Sequence, residues 1–341
     1  MVRIGSRSAN VDDLSARYRQ RMVDSAKRHV LIANFLGSDQ EKDLTVPPNC
    51  RGFGRIRHFR RRCGEKWVDD PLPIDPARKA LGIAFTDTMR AQVFQLAGCN
   101  FRCWYCFVPN NLLDADTNAS RMLSPRDLVE LYLDQEDPPA VIDLSGGQPD
   151  LVPEWVPWMM RELSERGLDK EVYLWADDNL STDYFWRFLS EKEREYVASY
   201  PNYGKVCCFK GFDSGSFAFN TRADAALFDR QFELMERLMS TGIDLYAYVT
   251  LTTHVSSGIE ARVCRFTDRL QSLHENLPLR TVPLEIQVYS PVKVRMDELC
   301  ERALRNQYIA VDAWRKELEK RFTAQQRSRN IADVPLRISR L

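Results

Sequence analysis

From about residue 90 onward, short apolar runs alternate with stretches whose apolar residues recur every three to four positions. That alternation is the signature of strand–helix units built on a parallel sheet. Six strands are expected, at 93–97, 141–145, 172–176, 206–210, 245–251 and 284–289, with helices at 125–134, 155–166, 182–190, 225–240 and 262–274. Six units in a row predict an α/β fold, a partial (β/α)6 TIM-type barrel. After the last strand, 297–322 reads as a long helix rich in Arg, Glu and Lys, followed by a short tail at 330–341. These are expected on the barrel's side or bottom, or across its open edge.

The first ninety residues read differently. Leu14, Tyr18, Met22, Ala26, Val30 and Ala33 keep helical spacing, which predicts a helix across 11–36. Prolines at 47, 48, 71, 73 and 76 and glycines at 52, 54 and 64 break both periodicities, so 45–80 is expected to be an irregular arm. The organisation expected is an N-terminal extension at 1–89, a barrel at 90–295 and a C-terminal helical extension at 296–341.

A chain of 341 residues, 44% hydrophobic, is long enough for a full core. Its 48 basic and 48 acidic residues cancel, so charge-driven recognition must be local. No run approaches the ~20 apolar residues of a membrane span, and the first residues lack a signal-peptide core; a cytoplasmic protein is expected, with no membrane partner. Nine cysteines in a reducing compartment point to a metal site plus buried thiols rather than a disulfide framework.

Cys99, Cys103 and Cys106 lie within eight residues of one predicted loop, directly after the first barrel strand. A cubane iron–sulfur cluster is held by four cysteinates; three leave one iron open to chemistry. Zinc is the plainer reading, but its tetrahedral shell needs a fourth ligand from a second short pair. His29, His58, His254 and His274 are isolated. Forty residues on, Gly146-Gly147-Gln148-Pro149 follows the second strand, and the two glycines allow close backbone approach.

The C-x3-C-x2-C loop together with the Gly-Gly-Gln-Pro turn resembles the radical S-adenosylmethionine (radical SAM) superfamily, over roughly residues 90 to 290. The resemblance implies an oxidoreductase-type chemistry in which Cys99, Cys103 and Cys106 hold a [4Fe-4S] cluster and SAM occupies the fourth iron. Reductive cleavage then yields a 5′-deoxyadenosyl radical that abstracts hydrogen from substrate. An external donor such as flavodoxin or ferredoxin supplies the electron. By resemblance, Tyr105 packs on the adenine, Gly146, Gly147, Gln148 and Pro149 line the SAM amino group, Asp177 or Asn179 meets the ribose, and Lys210 pairs with the SAM carboxylate. Gln148 stands where the family usually has Glu.

The segment around Lys210 is similar to the activating-enzyme branch, which installs a glycyl radical on a partner protein. Cys208 replaces that branch's Asp, and Tyr289 and Ser290 stand where it often has His. Between Arg51 and Arg62, six arginines alternate with Phe53, His58 and Phe59. Such a mixture suits phosphates and stacked bases, so a small anionic or nucleotide-like substrate is expected, with nucleic acid as a further candidate; an arm pairing with acidic helices is the plainer reading. A different class altogether is a non-catalytic iron–sulfur or zinc module that binds nucleic acid. Cys50 with Cys63, or Cys208 facing the cavity, are candidates for a role beyond buried thiols.

Overall fold

Helices and strands in the computed structural model follow the chain from residue 10, and the structure describes residues 10–62 and 67–336. In the N-terminal part these are α1 (Val11–Met22), β1 (Val23–Asp24), β2 (His29–Ala33), β3 (Gly54–Arg60), α2 (Ile74–Leu81) and β4 (Thr88–Phe94). The middle holds β5 (Ser120–Leu123), α3 (Pro125–Leu133), β6 (Val141–Leu144), α4 (Trp155–Glu165), β7 (Tyr173–Asp178), α5 (Tyr184–Phe188), α6 (Glu191–Ser199), β8 (Tyr203–Phe209), α7 (Ser214–Thr221) and α8 (Leu227–Met239). It closes with β9 (Leu245–Val249), α9 (Ile259–Leu273), β10 (Thr281–Pro283), α10 (Ser290–Lys293), α11 (Glu298–Arg321) and α12 (Ala324–Arg327).

Seven strands form one curled half-barrel sheet in the order β10-β9-β8-β7-β6-β4-β3. The six from β4 to β10 run parallel, as expected of a partial (β/α)6 barrel, and β3 adds an antiparallel edge. Phe94, Leu144, Trp155, Met159, Phe209 and Phe232 belong to the core between sheet and helices. Tyr173, Trp175, Val206, Tyr246 and Tyr248 fill the concave face. Each large apolar side chain so buried contributes roughly 1.5–3 kcal/mol over its exposed state. Ser124, Ser190 and Asp213 start α3, α6 and α7 with reciprocal capping boxes, which satisfy backbone N–H groups that the helix leaves free.

Three expectations are corrected. The N-terminal helix stops at Met22: Lys27 N–H donates to Asp24 Oδ1 at 3.1 Å in a turn, and the consecutive apolar run Val30 to Ala33 is fully buried as β2 against β5. Its helical spacing was a coincidence of two elements. The 45–80 segment is not irregular. Gly54 to Arg60 pairs with β4 throughout its length, and Ile74 to Leu81 is helical.

The sixth strand is also displaced: β10 pairs with Ala247–Val249, and Leu284 N–H still reaches Val249 O at 2.9 Å before the chain leaves the sheet. Beyond it, the Gln307 side chain of α11 takes over, accepting from Ile286 N–H and donating to Ile286 O, both at 3.0 Å. A side chain thus satisfies the backbone that a neighbouring strand would have bonded. The same helix packs along α9, and Asn306 Nδ2 donates to Thr253 O at 2.8 Å, so it lies on the barrel's side. No helix among the described residues is long and apolar enough to cross a membrane.

Candidate active site at the carboxyl ends of the strands

In parallel sheets, the loops leaving the carboxyl ends converge and carry the chemistry. The cysteine loop leaves β4 there and is held on several sides. Cys99 N–H donates to Leu113 O, Arg102 N–H to Thr221 O and Trp104 N–H to Asn220 O. Arg102 also ion-pairs with Asp114 and bonds Tyr18 of α1. Phe101, Trp104 and Tyr105 are buried, whereas the three thiols are free and half-buried.

Burial pushes the Cys99 thiol up and drives Cys103 up to about 12. Lys210, half-buried at the end of β8, faces them: burial opposes its charge, but Cys208, Tyr105, Cys103 and Cys99 outweigh it and hold its pKa well above the ordinary value. Among the described residues, no three His, Cys, Asp or Glu side chains converge on one point closely enough for a single metal ion. A tetrahedral zinc requires such convergence. A cubane cluster takes one thiolate on each iron, and three free thiols on one loop are donors of that kind.

The turn after β6 leans on the cysteine loop. Gln148 N–H donates to Gly98 O at 2.8 Å. Gly147 has φ +64°, and a Cβ there would sit 2.3 Å from Leu96 O and 2.6 Å from Gly98 O, so only glycine allows this approach. Pro149 opens a single 3-10 turn that carries Asp150.

The Gln148 side chain is 1% exposed and donates to Asp178 Oδ1 at 2.9 Å while accepting from Asn179 N–H at 2.9 Å. A carboxylate at position 148 would instead face the Asp178 carboxylate. Gln148→Glu is expected to cost about 1–3 kcal/mol at neutral pH. The penalty should shrink toward acid, where the added carboxyl, its pKa raised by burial beside Asp178, is protonated; urea titrations at two pH values measure it.

Asn179 donates to Asn100 Oδ1 at 3.0 Å and reaches Cys99 Sγ at 3.8 Å, while its own Oδ1 is buried without a partner. Asp177, half-buried, accepts from Ser145 Oγ at 2.5 Å on the concave face. Tyr105 shares a hydrogen bond with Thr250 Oγ1 at 3.0 Å. Cys208 is buried facing the concavity, Cys50 is buried near Leu131 O, and Cys63 lies outside the described residues.

The structure brings in residues that sequence reasoning passed over. Asn220 of α7 accepts from Trp104 Nε1 and Thr252 Oγ1 and donates to Lys210 O, joining three loops. Gln231 of α8 donates to Asn179 O and Cys208 O. Asp143, in the middle of β6, is wholly buried on the concave face, and burial followed by Asp177 pushes it up to about 7. A lone Asp inside the apolar run Val141 to Leu144 was the readable signal.

No family model and no curated protein sequence matches the chain. Among solved structures, Streptococcus suis SuiB bound to precursor peptide SuiA is similar over 53% of this chain and 36% of its own, at 14% identity and TM-score 0.39. SuiB bound to S-adenosylmethionine is similar over 53% and 37%, at 15% identity and TM-score 0.38. Native anSMEcpe with bound AdoMet is similar over 55% and 49%, at 12% identity and TM-score 0.36. The match thus spans less than half of each of those chains.

Proposed function

We propose that this chain is a radical SAM enzyme acting on a small anionic substrate. The observation that carries the reading is a set of three free thiols on one loop, at the carboxyl end of the sheet, beside the Lys210 ammonium. When bound, a [4Fe-4S] cluster and SAM supply reductive cleavage of SAM and hydrogen abstraction from substrate. Cys99, Cys103 and Cys106 would hold the cluster, and flavodoxin or ferredoxin would be the electron donor. Phe101, Trp104 and Tyr105, each at most 8% exposed, exclude water from the loop.

Lys210 attracts the SAM carboxylate, and Asn179 offers its free Oδ1 to a hydroxyl donor. Gly146, Gly147, Gln148 and Pro149 hold the turn against the cysteine loop, and Asp177 lies on the substrate side. The concavity offers about 410 Å³ between β3 and the segment after β10, which suits a small molecule.

Lys210→Met is expected to weaken SAM binding by about 10- to 100-fold, the loss of one charge-assisted hydrogen bond. Equilibrium dialysis of labelled SAM against the reconstituted protein checks this. The class itself is tested by anaerobic reconstitution: iron and sulfide in equal amounts with brown absorbance support it, and stoichiometric zinc without sulfide contradicts it.

A further inference from the structure

Strand β3 places Arg55, Arg57 and Phe59 on the concave face, because they lie opposite Val93, Ala91 and Met89 of β4, and Phe59 and Ala91 pack in the concave core. Arg55 is nearest the cysteine loop. It is 6% exposed, makes no ion pair or side-chain hydrogen bond among the described residues, and its Nε is buried without a partner. Its guanidinium instead lies 5.2 Å from the ring of Phe107, the residue after Cys106, and 6.0 Å from that of Phe35.

Arg57, one pleat deeper, makes a long 3.4 Å hydrogen bond to Asp143 and stacks 4.1 Å over Phe59. Both arginines line the 410 Å³ cavity, with Phe107, Tyr289 and Trp67 as aromatic walls.

A buried guanidinium with no hydrogen-bonded counter-anion is costly to fold; Asp143 and Asp177 favour the Arg55 charge only from a distance, and burial and Arg57 oppose it more strongly. An arrangement that keeps such a guanidinium, open to a cavity, is built for an anion that arrives from outside. The planar fork of Arg matches the two oxygens of a phosphate or carboxylate. Lys210 stands with the thiols and has its own electrostatic partners there, Cys208, Tyr105, Cys103 and Cys99.

We propose that Arg55 and Arg57 form the oxyanion subsite of the substrate cavity, binding a phosphate or carboxylate of the substrate while the aromatic wall at Phe107 holds the adjoining part near the cysteine loop. The assignment of this cavity to substrate rests on the radical SAM reading; the anion site itself does not.

The test is calorimetric titration of the full chain, as purified and after reconstitution, with pyrophosphate for the phosphate source and glutarate for the carboxylate source, at constant ionic strength. Saturable one-to-one binding is expected for at least one of them, and the tighter of the two names the source. Arg55→Met should weaken it by about tenfold or more, whereas Arg126→Met, on exposed α3, should leave it unchanged. Arg55→Lys, which keeps charge but not the fork, should fall between.

Because burial and Arg57 oppose the Arg55 charge more than the distant Asp143 and Asp177 favour it, Arg55→Met should also melt at or above the wild-type temperature. No saturable binding of either anion, equal binding in wild type and Arg55→Met, or a large drop in its melting temperature would each overturn the proposal. None of these readouts depends on whether SAM is cleaved, so a failure here and a failure of the enzyme class are separate results.

Discussion

Alanine in place of Cys99, Cys103 or Cys106 is expected to remove the brown absorbance of reconstituted protein and to cut SAM cleavage by more than about 100-fold, beyond what the loss of an outer-shell partner costs. The reasoning is local. Each thiol is free, and all three come from one loop whose backbone is pinned by Leu113, Thr221 and Asn220. The metal-free variants should keep their folds, since a half-buried neutral thiol acts as a small apolar group. Circular dichroism melts of variant and wild type, both metal-free, should therefore nearly coincide, which separates loss of a ligand from loss of structure.

Lys205→Met is expected to destabilise the protein by about 3–5 kcal/mol, the cost of breaking a buried ion pair from one side. Lys205 projects from β8 toward the helices, 1% exposed, with Nζ 2.6 Å from Asp150 and 3.6 Å from Asp178. Burial and the Asp178 charge push Asp150 up; burial opposes the Asp178 charge as well, but the Lys205 charge and the hydrogen bonds that the Asp178 carboxylate accepts hold its pKa down.

Without the lysine, two carboxylates share one dry site and both pKa values rise above their unfolded values. A group whose folded pKa is raised favours the fold below its unfolded pKa and loses that contribution as pH rises through the folded pKa. The deficit of Lys205→Met should therefore be largest at neutral and alkaline pH and narrow toward acid, as denaturant midpoints across that range would record. A pH-independent deficit would contradict the charge argument. The triad matters for the site because Asp178 anchors Gln148 and Leu180, and Gln148 in turn anchors Asn179 beside Cys99.

The parallel strands were legible where both faces are buried: the runs at 141–145, 172–176, 206–210 and 245–251 differ from β6 to β9 mainly at their ends. The helices at 125–134, 155–166, 225–240 and 262–274 likewise correspond to α3, α4, α8 and α9. Strand β3 was not legible. Its concave positions carry Arg55 and Arg57, so its alternation reads as a solvated charged face, and nothing local says that this face looks into a cavity.

The arginines from 51 to 62 in fact divide. Arg51 and Arg62 are exposed, Arg61 pairs with Asp75, and Arg55 is buried. The segment 284–289 failed for the opposite reason: Leu284, Ile286 and Val288 alternate as a strand does, but Gln307, more than twenty residues away in sequence, satisfies Ile286 instead. The cysteine loop was legible because three residues of one type at short fixed spacing are written locally in the chain. Asn220 and Gln231, which join that loop's neighbours through side-chain amides, are specified only by the fold.

The most direct measurement is product analysis of the anaerobically reconstituted, dithionite-reduced protein incubated with SAM. The account predicts 5′-deoxyadenosine and methionine in equal amounts, dependent on reductant and absent from Cys103→Ala. Protein that carries a [4Fe-4S] cluster and binds SAM, yet returns SAM intact after reduction, would contradict it.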